Sequence, residues 1–129
     1  MTAELTVLAL GVVLQLGQFV LYSLLAQGQV GTGYALSARD EPRQLTGRAG
    51  RAQRALNNQF ESLALFTPAV LVITLSDQST GFTAACAWAW LAARVAYVPA
   101  YLLGLTPWRS LVWGVGFFAT LLMILAALI

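Results

Sequence analysis

Polar and charged residues recur at helical spacing inside segments of this chain that are otherwise apolar. They form three groups, namely Arg51, Arg54, Asn58 and Glu61, then Arg94, Tyr97 and Tyr101, and finally Arg109, Ser110 and Trp113. At about 100° per residue, the members of each group fall on one face of a helix. A charge at membrane depth is costly and should face protein or a water-filled cavity. Cations, an acid, an amide and phenols at one depth therefore predict a polar ligand site.

A simpler interpretation of the same residues is charge pairing. Glu61 and Arg94 would neutralise each other between two helices, while Arg51 and Arg54 would extend toward lipid headgroups. Each arginine taken alone fits that interpretation as well as it fits a site. Three helices carry such groups at one depth, and this is more polar groups than charge pairing requires. We therefore favour the ligand site.

The composition is typical of a membrane protein. Of 129 residues, 59% are hydrophobic and only 9% are charged, and the mean hydropathy is +0.75. Soluble domains are about half apolar and about a quarter charged. Five of the seven basic residues lie between the first two apolar stretches. Because that basic segment lacks interleaved aromatic residues and is bracketed by apolar stretches, we expect no nucleic-acid partner.

The residues available for metal binding or nucleophilic catalysis are few. Histidine is absent and Cys86 is the single cysteine. The commonest metal ligand and the usual general base are therefore missing, and an internal disulfide is impossible. We expect no metal site, and we interpret Cys86 as a packing residue in the middle of a helix.

Four apolar stretches are long enough to cross a hydrocarbon core of about 30 Å as helices. They cover residues 4–26, 56–75, 82–105 and 108–129, which is nearly the whole chain. The second helix can begin at Ala49, before the membrane boundary, and Pro107 is placed to open the fourth. The first stretch lacks the basic start of a signal peptide and is expected to be retained. The sequence predicts one domain, residues 1–129, with the fold of an all-α membrane protein in an up-down bundle of four transmembrane helices.

Charge asymmetry predicts how this bundle lies in the membrane. The arginines of the loop 27–48, those just after it, and Arg109 fall on one side, whereas Glu4 and Asp77 fall on the other. Basic residues concentrate on the cytoplasmic side. We therefore expect a multi-pass protein with its N-terminus outside and its long loop in the cytoplasm.

Three short runs, taken in order, resemble motifs of one membrane protein family. RAQRALNNQFE resembles the second-helix signature of the MAPEG family, the membrane-associated proteins of eicosanoid and glutathione metabolism. ARVAYVPAY is similar to the family's third-helix arginine with tyrosines a turn apart, and PWRS resembles the opening of its fourth helix. The likeness covers nearly the whole chain and is closer to short bacterial members, which implies the bacterial inner membrane.

The resemblance implies a homotrimer that holds glutathione, as a co-substrate, between neighbouring subunits near the cytoplasmic face. Arg109 would take the place of the family's catalytic arginine, with Ser110 beside the thiol. Trp113 and Phe117 depart from the family's pattern and alter the wall that faces the substrate. The residues implied to bind glutathione are Arg51, Arg54, Asn58, Glu61, Arg94, Tyr97 and Tyr101.

Three functions are compatible with these expectations. The leading hypothesis is an integral membrane glutathione transferase or peroxidase that acts on a lipophilic small molecule delivered through membrane lipid. The second is a non-enzymatic protein of the same fold that binds lipid or thiol. The third is a small four-helix multidrug exporter, which would need an essential acid in the first helix, where the only acid is Glu4 at its start.

Overall fold

Four long helices and one short helix make up the architecture of this computed structural model, which describes every residue from 1 to 129. No residue is in a strand. The prediction of an all-helical protein is confirmed. The helices are α1 (Ala3–Val30), α2 (Thr32–Leu36), α3 (Gly47–Leu75), α4 (Gly81–Leu102) and α5 (Trp108–Leu128).

Helix ends differ from the predicted stretches where local signals override hydropathy. α1 continues to Val30, and Gly31 ends it with a φ of 86° that favours glycine. α2 then occupies part of the segment 27–48 that we expected to be a loop. α3 begins at Gly47, well before its apolar stretch, so its first turns carry the arginines. Pro107 occupies the position just before α5, where a missing backbone N–H costs nothing.

Three helices, α1, α3 and α5, are long and apolar enough to cross a membrane by length and composition. α4 is outside this class, and Arg94 together with its tryptophans and tyrosines accounts for its lower hydropathy. The structure thus supports three of the four predicted spans, and the span predicted for residues 82–105, which corresponds to α4, stays a prediction.

Contacts between helix ends show that successive long helices run in opposite directions. Near the end of α1, the Gln29 side chain donates to the carbonyl of Thr46 (2.7 Å) and accepts from its backbone N–H (3.0 Å), which ties α1 to the start of α3. At the start of α1, the carboxylate of Glu4 accepts from the hydroxyls of Ser79 (2.9 Å) and Thr83 (2.6 Å) at the start of α4. We call the end that holds Gln29, α2 and the start of α5 the loop end.

A stacked aromatic pair forms the centre of the apolar core. The rings of Phe66 and Trp90 are parallel, 3.9 Å apart, and both are fully buried. The indole N–H of Trp90 donates to the Ser62 hydroxyl (2.9 Å), which fixes the ring between α3 and α4. Gly11 of α1 lies against the same ring. The core therefore sets the relative rotation of α1, α3 and α4, and with it the direction of their polar faces.

Large apolar side chains cover the outside of the long helices. Exposed examples are Val20 of α1 (60%), Leu65 of α3 (58%), Val95 of α4 (52%) and Phe118 of α5 (59%). Soluble monomers rarely expose contiguous apolar surface on this scale. This surface suits lipid, in agreement with the apolar character of α1, α3 and α5.

Candidate functional site

Arg94 of α4 is the most buried charged side chain among the predicted site residues. It is only 1% exposed, yet it belongs to a helix whose remaining buried residues are small or aromatic. Its Nε donates to Oε1 of Gln59 and its Nη1 donates to Oδ1 of Asn58, each at 2.8 Å. Its guanidinium also lies 4.4 Å from the centre of the Tyr97 ring. Two amides of α3 and one aromatic ring therefore hold this arginine in place.

No carboxylate neutralises Arg94. The only ion pair in the structure joins Arg43 to Glu41, at 3.9 Å in the loop. The Nη2 atom of Arg94 is buried and has no hydrogen-bond partner. Buried charges are ordinarily paired, because taking them out of water is expensive. The pairing of Glu61 with Arg94 that we considered is absent, and the positive charge of Arg94 is not neutralised within the chain.

Arg54 and Arg109 meet at a second polar cluster, around Tyr101. The Nε of Arg54 donates to the Tyr101 hydroxyl (2.9 Å), and the guanidinium of Arg109 lies 5.1 Å from the centre of the same ring. Tyr97 and Tyr101 are one turn apart on α4, with ring centres separated by 5.6 Å. Arg109 also lies beside Tyr97. These two tyrosines are therefore contacted by arginines from three helices, namely Arg54 of α3, Arg94 of α4 and Arg109 of α5.

Arg51 has a different role from the other arginines of α3. Its Nη1 donates to the carbonyl of Leu102 (3.1 Å), which has no partner within α4 because the helix ends there. Its guanidinium also lies against Gly104, whose φ of 65° permits the chain to turn directly after α4. Arg51 therefore closes the end of α4, and its implied contact with glutathione stays a prediction.

Glu61 and Ser110 are the least constrained of the predicted residues. Both are exposed, and neither side chain makes a hydrogen bond within the chain. Glu61 nevertheless borders a groove of about 290 Å³ between α3 and α5, and Arg94 lines the same groove. We call this the α3–α5 groove; Glu61 and Arg94 form its polar end, and its apolar wall contains Leu65, Trp113, Phe117 and Leu121.

The predicted site residues are therefore divided between neighbouring places at the loop end and just below it. Glu61 and Arg94 face the α3–α5 groove. Arg54 lines a separate cavity against α1 and α2. Tyr101 contacts both Arg54 and Arg109.

Gln59 is a residue that sequence reasoning missed. It is fully buried, accepts from Arg94, and donates weakly to the carbonyl of Gly11 (3.5 Å). It lies beside Asn58 in the chain but outside the arginine face, so helical spacing gave no reason to include it. The sequence signal is the run of three amides, Asn57, Asn58 and Gln59. It does not tell which of them face Arg94, and Asn57 is exposed.

Comparison with known proteins bears on the chain as a whole. No curated protein and no solved structure matches it. The sequence model of the MAPEG family, however, matches residues 5–129. That match includes every predicted site residue and nearly all of the three apolar helices. The chain therefore belongs to the MAPEG family and is an integral membrane protein.

Proposed function

We propose that this protein is a glutathione-dependent enzyme that conjugates or reduces lipophilic electrophiles, as a membrane transferase or peroxidase. Membership of the MAPEG family supports a glutathione-related function at the level of the family. The observation that carries the proposal is the α3–α5 groove, where an unpaired buried arginine and a free carboxylate adjoin an apolar, aromatic wall. Such a groove offers one surface to a charged co-substrate and another to an apolar molecule.

The charges of glutathione are complementary to the groups present. Its two carboxylates suit guanidinium groups, and its ammonium suits a carboxylate. Arg94 has a buried, unpartnered N–H group that a carboxylate oxygen would satisfy. Glu61 is exposed and makes no ion pair, and so it is free to bind the ammonium. Asn58, Arg54, Tyr97 and Tyr101 would complete the binding surface.

When bound, glutathione would supply a thiolate nucleophile. A free thiol has a pKa of about 8.5, and a neighbouring cation favours the thiolate. Arg109 is the residue we assign to this stabilisation, because it is half-buried, held over the Tyr101 ring, and placed at the start of α5. An arginine can do this at any physiological pH without a histidine. Ser110, which follows it, would lie beside the thiol.

The electrophile would occupy the apolar part of the α3–α5 groove. The rings of Trp113 and Phe117 stack with centres 5.2 Å apart, and both are exposed on α5. Exposed aromatic rings at membrane depth are accessible to molecules dissolved in lipid. They form a flat wall, which favours planar or extended apolar substrates.

The membrane arrangement that we propose has four spans, with α4 crossing beside α5. α4 packs more extensively on α5 than on any other helix and contributes Trp90 to the core. The N-terminus would be outside and the loop end in the cytoplasm, in the bacterial inner membrane.

Three copies would form a homotrimer. Native mass spectrometry counts the copies, and a monomer at every protein concentration would contradict the trimer.

Arg109→Ala tests the assigned role of Arg109. We expect glutathione-dependent conjugation of a chromogenic aryl halide to fall by about 10²-fold or more, as on loss of a group that stabilises developing charge. Calorimetric titration should show glutathione affinity largely retained, because the groups assigned to hold its charges remain. Arg48→Ala is the matched control, since Arg48 is exposed on the first turn of α3 and its side chain makes no hydrogen bond. Equal loss in both variants would contradict the assignment.

A non-enzymatic binding protein is the second candidate, and the observation that favours it is the exposure of Ser110 and Glu61. A site whose polar groups are loosely held suits binding better than catalysis. Tight glutathione binding without turnover over a broad panel of electrophiles would favour this function. Absence of any thiol binding would exclude both candidates.

A further inference from the structure

A second cavity, of about 330 Å³, lies at the loop end between α1, α2, the following loop and α3. The proposed thiol chemistry does not use it. Its lining includes Arg39, Arg43 and Arg54, together with Tyr22 and Tyr34, and it contains no acidic residue. We call it the loop cavity. The nearest carboxylate, that of Glu41, lies outside the lining and 3.9 Å from Arg43, so that three cations against one acid leave the loop cavity with a positive potential that favours an anion.

The two loop arginines are held in place by the backbone around the cavity. Nη1 of Arg43 donates to the carbonyl of Val30 (2.7 Å), and its guanidinium lies 4.3 Å from the centre of the Tyr34 ring. Nε and Nη2 of Arg39 both donate to the carbonyl of Ala35, at 3.1 and 2.7 Å. The Tyr34 hydroxyl donates to the carbonyl of Glu41 (2.6 Å), which fixes the ring beneath Arg43. Both guanidinium groups are therefore positioned before any ligand arrives.

Each cavity arginine keeps N–H groups that no protein atom accepts. Nη1 of Arg39 makes no hydrogen bond, and Nη2 of Arg43 has only the exposed Glu41 carboxylate, at 3.9 Å. Arg54 uses only its Nε, on Tyr101. Several guanidinium donors around one space match the three or four oxygens of a phosphate group better than they match a single carboxylate.

An apolar stripe on α1 leads from the membrane to this cavity. Leu16, Phe19 and Val20 are 59%, 40% and 60% exposed. At helical spacing they share a face with Ser23 and Gln27, which line the loop cavity. An acyl chain lying along this stripe would bring the headgroup of the same lipid to the arginines. A soluble phosphate has no acyl chain that could pack on this stripe.

We propose that the loop cavity binds the phosphate of an anionic phospholipid headgroup, with the acyl chains against the exposed face of α1. This site is separate from the α3–α5 groove and does not depend on the proposed enzymatic function. Arg39 and Arg43 line this cavity and are not part of the proposed glutathione site. Arg54 borders it but also belongs to the proposed glutathione site, and it is therefore unsuitable for the test.

Native mass spectrometry of the detergent-solubilised full chain tests the site. The protein is titrated with phosphatidylglycerol and with phosphatidylcholine of the same acyl chains. We expect tighter binding of phosphatidylglycerol, reduced about fivefold by either Arg39→Gln or Arg43→Gln, the effect of one basic residue on anionic lipid. Arg48→Gln removes the same charge from an exposed position that does not line the cavity. It should change the affinity less than about twofold, because Arg48 does not line the cavity and would make no hydrogen bond to the headgroup.

Three results would overturn the proposal. The first is an equal effect of Arg48→Gln, which would indicate unspecific attraction to the basic segment. The second is competition by millimolar inorganic phosphate as strong as that by lipid phosphate, which would indicate a site for a free anion. The third is loss of glutathione binding in Arg39→Gln or Arg43→Gln, which would make the cavity part of the thiol site. Circular dichroism checks the fold, and Arg39→Gln carries the test alone if Arg43→Gln is unstable.

Discussion

At the scale of single residues, the unusual feature is a buried arginine that is neutralised by no acid. Arg94 depends on the amide oxygens of Gln59 and Asn58 and on the face of Tyr97. Amide oxygens bind a guanidinium without cancelling its charge. In the proposed function a ligand carboxylate would supply the missing negative charge, whereas a paired arginine would have to give up its partner first.

Gln59→Ala should destabilise the protein by about 1 to 3 kcal/mol, because it removes the acceptor of a buried charged donor. Thermal unfolding in detergent measures the change. Asn57→Ala, which removes an exposed amide from α3, should have little effect. If the two variants unfold alike, Gln59 does not support Arg94 in the folded protein.

The position of Gln59 explains why the site was only partly predictable from residue types. Arg94, Tyr97 and Asn58 were identified by their spacing, and the structure puts them in contact. Gln59 could not be identified in this way, because it lies outside the face of α3 that carries Arg51, Arg54 and Asn58. Whether it reaches the arginine depends on how α3 is rotated against α4.

At the scale of the helices, the packing of α1 on α4 depends on a glycine. A Cβ at Gly11 would lie 2.9 Å from two ring atoms of Trp90. The ring cannot move away freely, because it is stacked on Phe66 and bonded to Ser62. Close approach at Gly11 thus brings α1 against the aromatic core and sets the position of its polar end.

Gly11→Ala should reduce the free energy of unfolding by about 1 to 3 kcal/mol, the usual cost of overpacking a core. Gly28→Ala is the matched control, since a Cβ at Gly28 meets nothing within 4 Å. It should leave stability unchanged or raise it by up to about 1 kcal/mol, because alanine favours the helix. Thermal unfolding of both proteins distinguishes the two positions, and a neutral Gly11→Ala would contradict the close contact.

At the scale of the whole molecule, charge separates the two ends of the helices. The loop end carries nearly all of the arginines, whereas Glu4 and Asp77 lie at the opposite end. Glu4 is buried there and accepts hydrogen bonds from Ser79 and Thr83. The exporter hypothesis needs an essential acid in the first helix, and Glu4, the only acid there, is already engaged by these hydroxyls, which disfavours that function.

Cysteine labelling tests the proposed orientation. In a Cys86→Ala background, a membrane-impermeant maleimide applied to intact spheroplasts should label Gln78→Cys, between α3 and α4. It should label Ala38→Cys, an exposed position after α2, only when the membrane is permeabilised, because basic segments stay in the cytoplasm. The reverse labelling pattern would indicate the opposite orientation, with the loop end outside. Labelling of both from one side would mean that α3 does not cross.

The sequence by itself determined the helical class, the membrane character and the family of this protein. Hydropathy, helical spacing and short motifs are properties of neighbouring residues, and they can be recognised without knowledge of the fold. The tertiary structure decided which partner each charge has: Arg94 takes the amides of α3 instead of Glu61, Arg51 closes α4, and Arg54 bonds to Tyr101. These contacts depend on the rotation and register of packed helices, which Trp90 and Gly11 fix in the core and which no local pattern encodes.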